Sequence, residues 1–274
     1  MKACLILAAL ALTSTSPRSV PAPLVRLYTL DCGRLEIDDM GTFSDTGEHA
    51  GERGVMAAPC FLIRDGNRWM LWDTGLGDRL AAKPEGEILL GARWLVRRTL
   101  VSQLASLGLK PDDIAFVGVS HLHADHSRNV GLFTRSRILI AKSELDWSKG
   151  LPLGTDPQII ASLGGLHVET YDGDRDVFGD GRVRILFMPG HTPGHHVLLV
   201  QLPRSGAVLL SGDLYHTREN YVRSLVPIPN VNRADTLASF DRFRRIATRL
   251  KARVVVQHSL EDFEAMPAFP SYLD

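Results

Sequence analysis

The chain has 274 residues, 45% of them apolar and 23% charged, an ordinary composition for a globular protein that buries a sizeable core. Lysine plus arginine and aspartate plus glutamate number 31 each, so the formal net charge is zero. No global field draws in nucleic acid or an anionic membrane, which disfavours a nuclease or any polyanion-binding protein.

The first 22 residues, MKACLILAALALTSTSPRSVPA, place Lys2 before an apolar run from Ala3 to Leu12, followed by small and polar residues. That run is too short to span a bilayer, and it reads as a cleavable secretory signal, giving a periplasmic or secreted product. Cys4 precedes the run, which is not the lipoprotein arrangement. Residues 23–274 are expected to form one domain, slightly acidic once Lys2 and Arg18 are lost. Cys32 and Cys60 remain in it; export permits a disulfide, but two buried free thiols suit the sequence equally well. No later segment is long and apolar enough for stable membrane insertion.

Short runs rich in apolar and β-branched residues predict strands at Leu24–Leu30, Cys60–Arg64, Trp69–Trp72, Ile114–Val119, Arg137–Ala141, Arg182–Phe187, Val197–Leu202, Ala207–Leu210 and Arg253–Gln257. Turn signals at 66–67 (GN) and 204–206 (RSG) join neighbours into hairpins. Apolar residues at helical spacing predict helices over Ala92–Leu107 and Ala234–Leu250, the second with an arginine-studded face that reads as solvated. Residues 31–59 and 148–165, rich in Gly, Asp, Thr and Pro, read as long loops. This order suits a layered α/β sandwich with helices outside two sheets.

The stretch VGVSHLHADHSRNV carries the chemistry. The predicted strand ends just before His121, and residues two apart in extended chain share a side, so His121 and His123 can meet one metal ion. Asp125 and His126 follow the small Ala124, where the chain can turn toward a second position. Imidazole and carboxylate suit Zn²⁺ and its neighbours among the transition metals. Three later sites offer the missing ligands at strand ends: His191 in FMPGHTPGHH, Asp213 in VLLSGDLYH and His258 in VVVQHS. A lone loop histidine is usually a surface or packing residue; four such sites are not.

The set H-x-H-x-D-H at 121–126 with His191, Asp213 and His258 resembles the metallo-β-lactamase superfamily, and LWDTGLGD, with Asp73, matches that superfamily's Asp-Thr-Gly turn. The resemblance implies a single-domain αββα sandwich with a dinuclear site between the sheets. It implies His121, His123 and His191 on one metal, Asp125, His126 and His258 on the other, Asp213 as the bridge, and Asp73 orienting ligands by hydrogen bonds. Two Zn²⁺ are the expected cofactors; iron, cobalt and manganese are open to the same ligands.

An aspartate at 213 separates this chain from true dinuclear β-lactamases, which carry cysteine or serine there. Glyoxalase-II-like thioesterases share the ligands but add a C-terminal domain, whereas 16 residues follow His258 here. RNA processors need a basic surface, and the diiron oxygen reductases carry a flavodoxin domain. SGDLYHTRENY at 211–221 and the ending QHSLEDFEAMPAFPSYLD are most similar to N-acyl homoserine lactonases, the quorum-quenching branch. That resemblance implies attack on the lactone carbonyl by a hydroxide bridging two ions, with Asp125 shuttling the proton to the leaving oxygen. Several members of that family carry a tyrosine three residues after the bridging aspartate; here His216 stands there with Tyr215 beside it, and both are candidates to assist at the carbonyl oxygen. Loops around Met40–Phe43 and Trp147–Leu153 are expected to line an acyl groove. The alternatives are hydrolysis of other esters, lactams or organophosphates, metal binding without catalysis, and an oxidative role with iron. A homodimer is left open.

Overall fold

A computed structural model describes residues 24–274. The proposed signal segment lies outside the described residues. Two sheets face each other. The first runs β4 (Glu87–Leu89), β5 (Ala92–Leu95), β1 (Val25–Ile37), β2 (Gly54–Asp65), β3 (Arg68–Trp72), β6 (Phe116–Gly118), β7 (Arg137–Ala141), β8 (His167–Tyr171), with β14 (Tyr272–Leu273) on the free half of β1. The second runs β13 (Arg253–Val255), β12 (Gly206–Leu210), β11 (His196–Leu202), β10 (Val183–Phe187), β9 (Arg175–Asp176).

Strand periodicity sorts the side chains into three apolar layers. Leu27, Phe61, Ile63, Met70 and Trp72 of the first sheet meet Val183, Ile185, Leu198, Val200, Val208 and Leu210 of the second. Their sequence neighbours point outward. Leu30, Leu62, Leu71, Ile138 and Ile140 pack under α1 (Leu100–Ser106) and α4 (Pro157–Leu163). On the far side Leu186, Val197, Leu199 and Leu209 pack under Phe240, Phe243 and Ala247 of α6 (Arg233–Leu250). Because both faces of each sheet are covered, the strands read as continuous apolar runs rather than alternating ones. The result is the expected αββα sandwich in one domain.

Four local expectations are corrected. Residues 92–95 form β5, not the start of a helix: Ala92 and Trp94 are buried on a period of two, paired with Ile37 and Leu35 of β1. The helix begins only at Leu100, where Thr99 caps it and the Asp78 carboxylate accepts from the free Leu100 and Val101 N–H groups (2.7 and 3.1 Å). Both ends of the supposed loop 31–59 are strand, because β1 passes a bulge between Asp31 and Arg34 and continues to Ile37, while β2 starts at Gly54. Within 148–165, Asp156 caps a helix with Pro157 in its first turn. On α6, Arg242 and Arg244 are not simply solvated; they reach Asp174, Ser224 and the Phe187 and Tyr221 carbonyls.

Cys32 and Cys60 are joined, their Cα atoms 5.7 Å apart, on the outward side of β1 and β2. The bond lies against the turn after β3: a Cβ on Gly75 (φ +73°) would fall 2.3 Å from Cys32 Cβ. The disulfide therefore backs the turn that carries Asp73. By the chain-entropy estimate, closing a loop of this length is worth roughly 3.5 kcal/mol. Cys32→Ser/Cys60→Ser protein should accordingly show a lower denaturant midpoint than the parent and an m-value no smaller, because its unfolded chain is less compact; equal midpoints would mean the bridge contributes nothing.

Candidate metal centre

Every candidate ligand sits where a strand ends. β6 runs out into His121, His123 and α2 (Ala124–Ser127), which carries Asp125 and His126. β10 leads to His191, β12 to Asp213 and β13 to His258. The folding of two sheets against each other brings these four chain segments to one rim. His121, His123, His191 and Asp213 form one group and Asp125, His126, His258 and Asp213 a second, each with ligand atoms within 4.8 Å of one another. Asp213 belongs to both. Its Oδ2 faces His191 Nε2 (3.4 Å) and His121 Nε2 (3.6 Å), and its Oδ1 faces His126 Nε2 (2.9 Å) and His258 Nε2 (3.0 Å).

The outer nitrogens are tied down, which fixes the rings. His126 Nδ1–H donates to Asp73 Oδ2 (2.9 Å), and His258 Nδ1–H donates to the Ala57 carbonyl (2.6 Å). Their Nε2 lone pairs then face each other at 3.1 Å, both beside Asp213 Oδ1, which makes no well-formed hydrogen bond of its own. His121 Nε2 is buried and likewise without a hydrogen-bond partner. With those rings neutral, buried acceptors crowd together without donors, which is costly; a cation among them relieves it, whether a metal ion or the competing protons of His126 and His258. The donor set of imidazole and carboxylate fits two divalent transition-metal ions.

Electrostatics divides the histidines. Burial pushes His123 down to about 4 and His121 and His191 well below their ordinary value, leaving neutral imidazoles, the form that binds metal. Burial also acts to lower His126 and His258, but the carboxylates around them, Asp213 foremost, outweigh it and raise both. Burial would raise Asp213, yet His126, His258, His216 and His121 hold it well below the carboxylate range.

Behind the ligands lies a second layer of contacts. Asp73, in the left-handed region (φ 58°) and fully buried, accepts from Ser120 N–H (2.7 Å), Ser120 Oγ–H (3.0 Å), His126 Nδ1–H and Gln257 Nε2–H (2.6 Å). It therefore fixes the His126 ring and ties it to the segments beside His121 and His258. His195, pushed down to about 3 by burial, is a neutral ring whose Nδ1–H donates to the Met188 carbonyl while Nε2 accepts from the Asp213 N–H. Gly212 and Gly154 allow close approach: a Cβ would fall 2.6 Å from His195 Nε2 in one case and 2.6 Å from the His123 ring in the other. Ser120 and Gln257 sit beside ligands in sequence and were findable by adjacency. Gly154 and Glu144 carried no local signal.

The two candidates beside Asp213 part company. His216 lies over the centre, its Nε2 3.2 Å from Asp213 Oδ2 and its ring between Phe43 (4.9 Å) and His258 (5.7 Å). Tyr215 points the other way, stacked on Phe240 (4.4 Å) in the layer beneath α6, and the expectation that it assists at the carbonyl is corrected. A cavity of about 560 Å³ opens over the centre, with His123, Asp125, His191, Asp213, His216 and His258 at its base. Its upper walls are apolar. Phe43, Trp147 and Leu153 come from the two expected loops, whereas Leu35, Met56, Trp94 and the stretch Ile228–Val231 were not anticipated, and Met40 is not part of the wall.

The geometry predicts two divalent ions per chain by elemental analysis, and one or none in Asp213→Ala. Asp73→Ala should still bind, with affinity lowered about 10–100-fold. His126 and His258 must shed a proton from Nε2 to bind an ion, so affinity should fall as pH drops through their raised values; a chelator titration repeated at successive pH values reads this directly.

Residues 53–258 match the Metallo-beta-lactamase superfamily. Two curated relatives are similar over nearly their whole length. An N-acyl homoserine lactonase of Azorhizobium caulinodans is 29% identical, covering 91% of this chain and 99% of the relative. One of Bacillus cereus is 27% identical, covering 90% and 98%. A solved N-acyl homoserine lactone hydrolase, with the product N-hexanoyl-L-homoserine at its catalytic metal centre, superposes with a TM-score of 0.80 at 26% identity, covering 92% of this chain and 100% of that one. With the αββα sandwich and the ligand groups at its rim, the match across most of the described residues establishes that the chain belongs to the metallo-β-lactamase superfamily.

Proposed function

We propose that the protein opens the ring of N-acyl homoserine lactones, with two divalent ions, zinc foremost, held by His121, His123 and His191 on one side, Asp125, His126 and His258 on the other, and Asp213 between. The observation that carries this reading is the cavity that joins residues of both ligand groups to apolar walls. A small polar head on an acyl tail matches that division, and the lactonase relatives support the same substrate class. Two bound ions supply an activated water and Lewis-acid polarisation of the carbonyl. Asp125 lines the cavity with its Oδ2 3.4 Å from His258 Nε2, placed to take the proton from the attacking water and return it to the leaving alkoxide. His216 donates to the carbonyl oxygen as negative charge develops there, in place of the family's phenol. Phe43, against one face of the ring, holds it in that attitude.

Export is part of the same proposal. The disulfide between Cys32 and Cys60 supports an oxidising compartment, in keeping with the apolar run at the N-terminus.

Proton release on mixing the metal-loaded protein with N-acyl homoserine lactones should follow ring opening. His216→Ala should lower kcat by roughly 100-fold, the scale of losing one oxyanion donor. Tyr215→Phe should leave kcat within about twofold, since its hydroxyl has no partner to lose. No ring opening by protein carrying two ions, alongside turnover of another ester, lactam or organophosphate, would replace the lactone reading.

A further inference from the structure

Glu144 lies on α3 (Lys142–Ser148), 1% exposed, with no cation among its partners. Its Oε1 accepts from the Leu122 N–H (2.8 Å), and its Oε2 accepts from Thr192 Oγ1–H (2.6 Å) and the Gly194 N–H (3.0 Å). Leu122 stands between His121 and His123, and Thr192 follows His191. One carboxyl group therefore ties the segment leaving β6 of the first sheet to the segment leaving β10 of the second. The approach is close: a Cβ on Gly194 would fall 2.4 Å from the Glu144 N and Cβ atoms, so glycine is required there.

Burying a carboxyl without a counter-charge is unfavourable, and burial pushes this one up to about 7 against the pull of its three hydrogen bonds. The chemistry of its partners explains why a carboxyl is used. Two of the three are backbone N–H groups, which can only donate. A carboxyl oxygen meets each of them. Glutamine of the same shape would have to turn its NH₂ toward either Leu122 or Gly194, setting donor against donor.

We infer that Glu144 is the positioning residue that sets the spacing between the His121–His123 pair and His191, and so controls ion binding at that half of the centre alone. The other half is held differently, through Asp73 on His126 and the Ala57 carbonyl on His258. This inference rests on the metal-centre reading above but not on the identity of the substrate.

The test is a titration of metal-free protein with Co²⁺, following visible absorption and heat, for the parent, Glu144→Gln, Glu144→Ala and Thr192→Val. The parent should take up two ions. Glu144→Gln should bind one as tightly as the parent and the other about 10–100-fold more weakly, with Thr192→Val showing a smaller loss at the same site. Metal-free Glu144→Gln should keep the parent's circular dichroism, and if Glu144→Ala does not fold, the other two variants decide. Unchanged affinities for both ions in Glu144→Gln, or an equal loss at both, would overturn the assignment. If the parent binds two ions and the variants behave as expected but no lactone is opened, the substrate reading fails and the positioning role stands.

Discussion

The structure turns on a crowd of lone pairs. Around Asp213, the nitrogens of His121, His126, His191 and His258 lie 2.9–3.6 Å from one carboxylate, and His126 and His258 present Nε2 to each other across 3.1 Å. Their outer nitrogens are already committed to Asp73 and Ala57, so the rings cannot turn away or exchange tautomers without breaking buried hydrogen bonds. Such an arrangement is unfavourable by itself and becomes favourable around cations. The remainder of the fold is best understood as what keeps those rings from relaxing.

Three kinds of support act at different distances. The sheets deliver the ligands, since each leaves the end of a strand whose apolar side chains lock into a layer on either face. Buried acceptors then set the rings: Asp73 gathers Ser120, His126 and Gln257, and His195 holds the Asp213 backbone. Tight glycines at 154, 194 and 212 let the loops lie against the His123 ring, the α3 backbone at Glu144 and the His195 ring, where a side chain would intrude. The disulfide adds a fourth constraint behind Gly75, on the side of the Asp73 turn away from the ligands.

How much of this was legible in the sequence follows from range. The two candidate ligand groups were, because H-x-H-x-D-H compresses four of their residues into six positions and the other three each follow a strand. The β2–β3 and β11–β12 hairpins were, because their turns carry local chemistry. Residues 92–95 were misread because their identity as strand depends on pairing with Leu35 and Ile37, about sixty positions away, while their apolar spacing also suits a helix. Tyr215 and His216 are neighbours that point to opposite sides of the extended chain after the Gly212–Leu214 turn, and nothing within either residue says which faces the centre. Glu144 was invisible for a similar reason: its three partners are contributed by two distant segments, two of them through backbone atoms that leave no mark on the side-chain pattern.

The proposed centre requires Asp213 to stand between two ions. Crystals of the protein as purified, measured on either side of the zinc absorption edge, test it most directly. Two anomalous peaks should flank the Asp213 carboxylate, one beside His121, His123 and His191 and the other beside Asp125, His126 and His258. A single peak, or peaks elsewhere with these seven side chains unengaged, would contradict it.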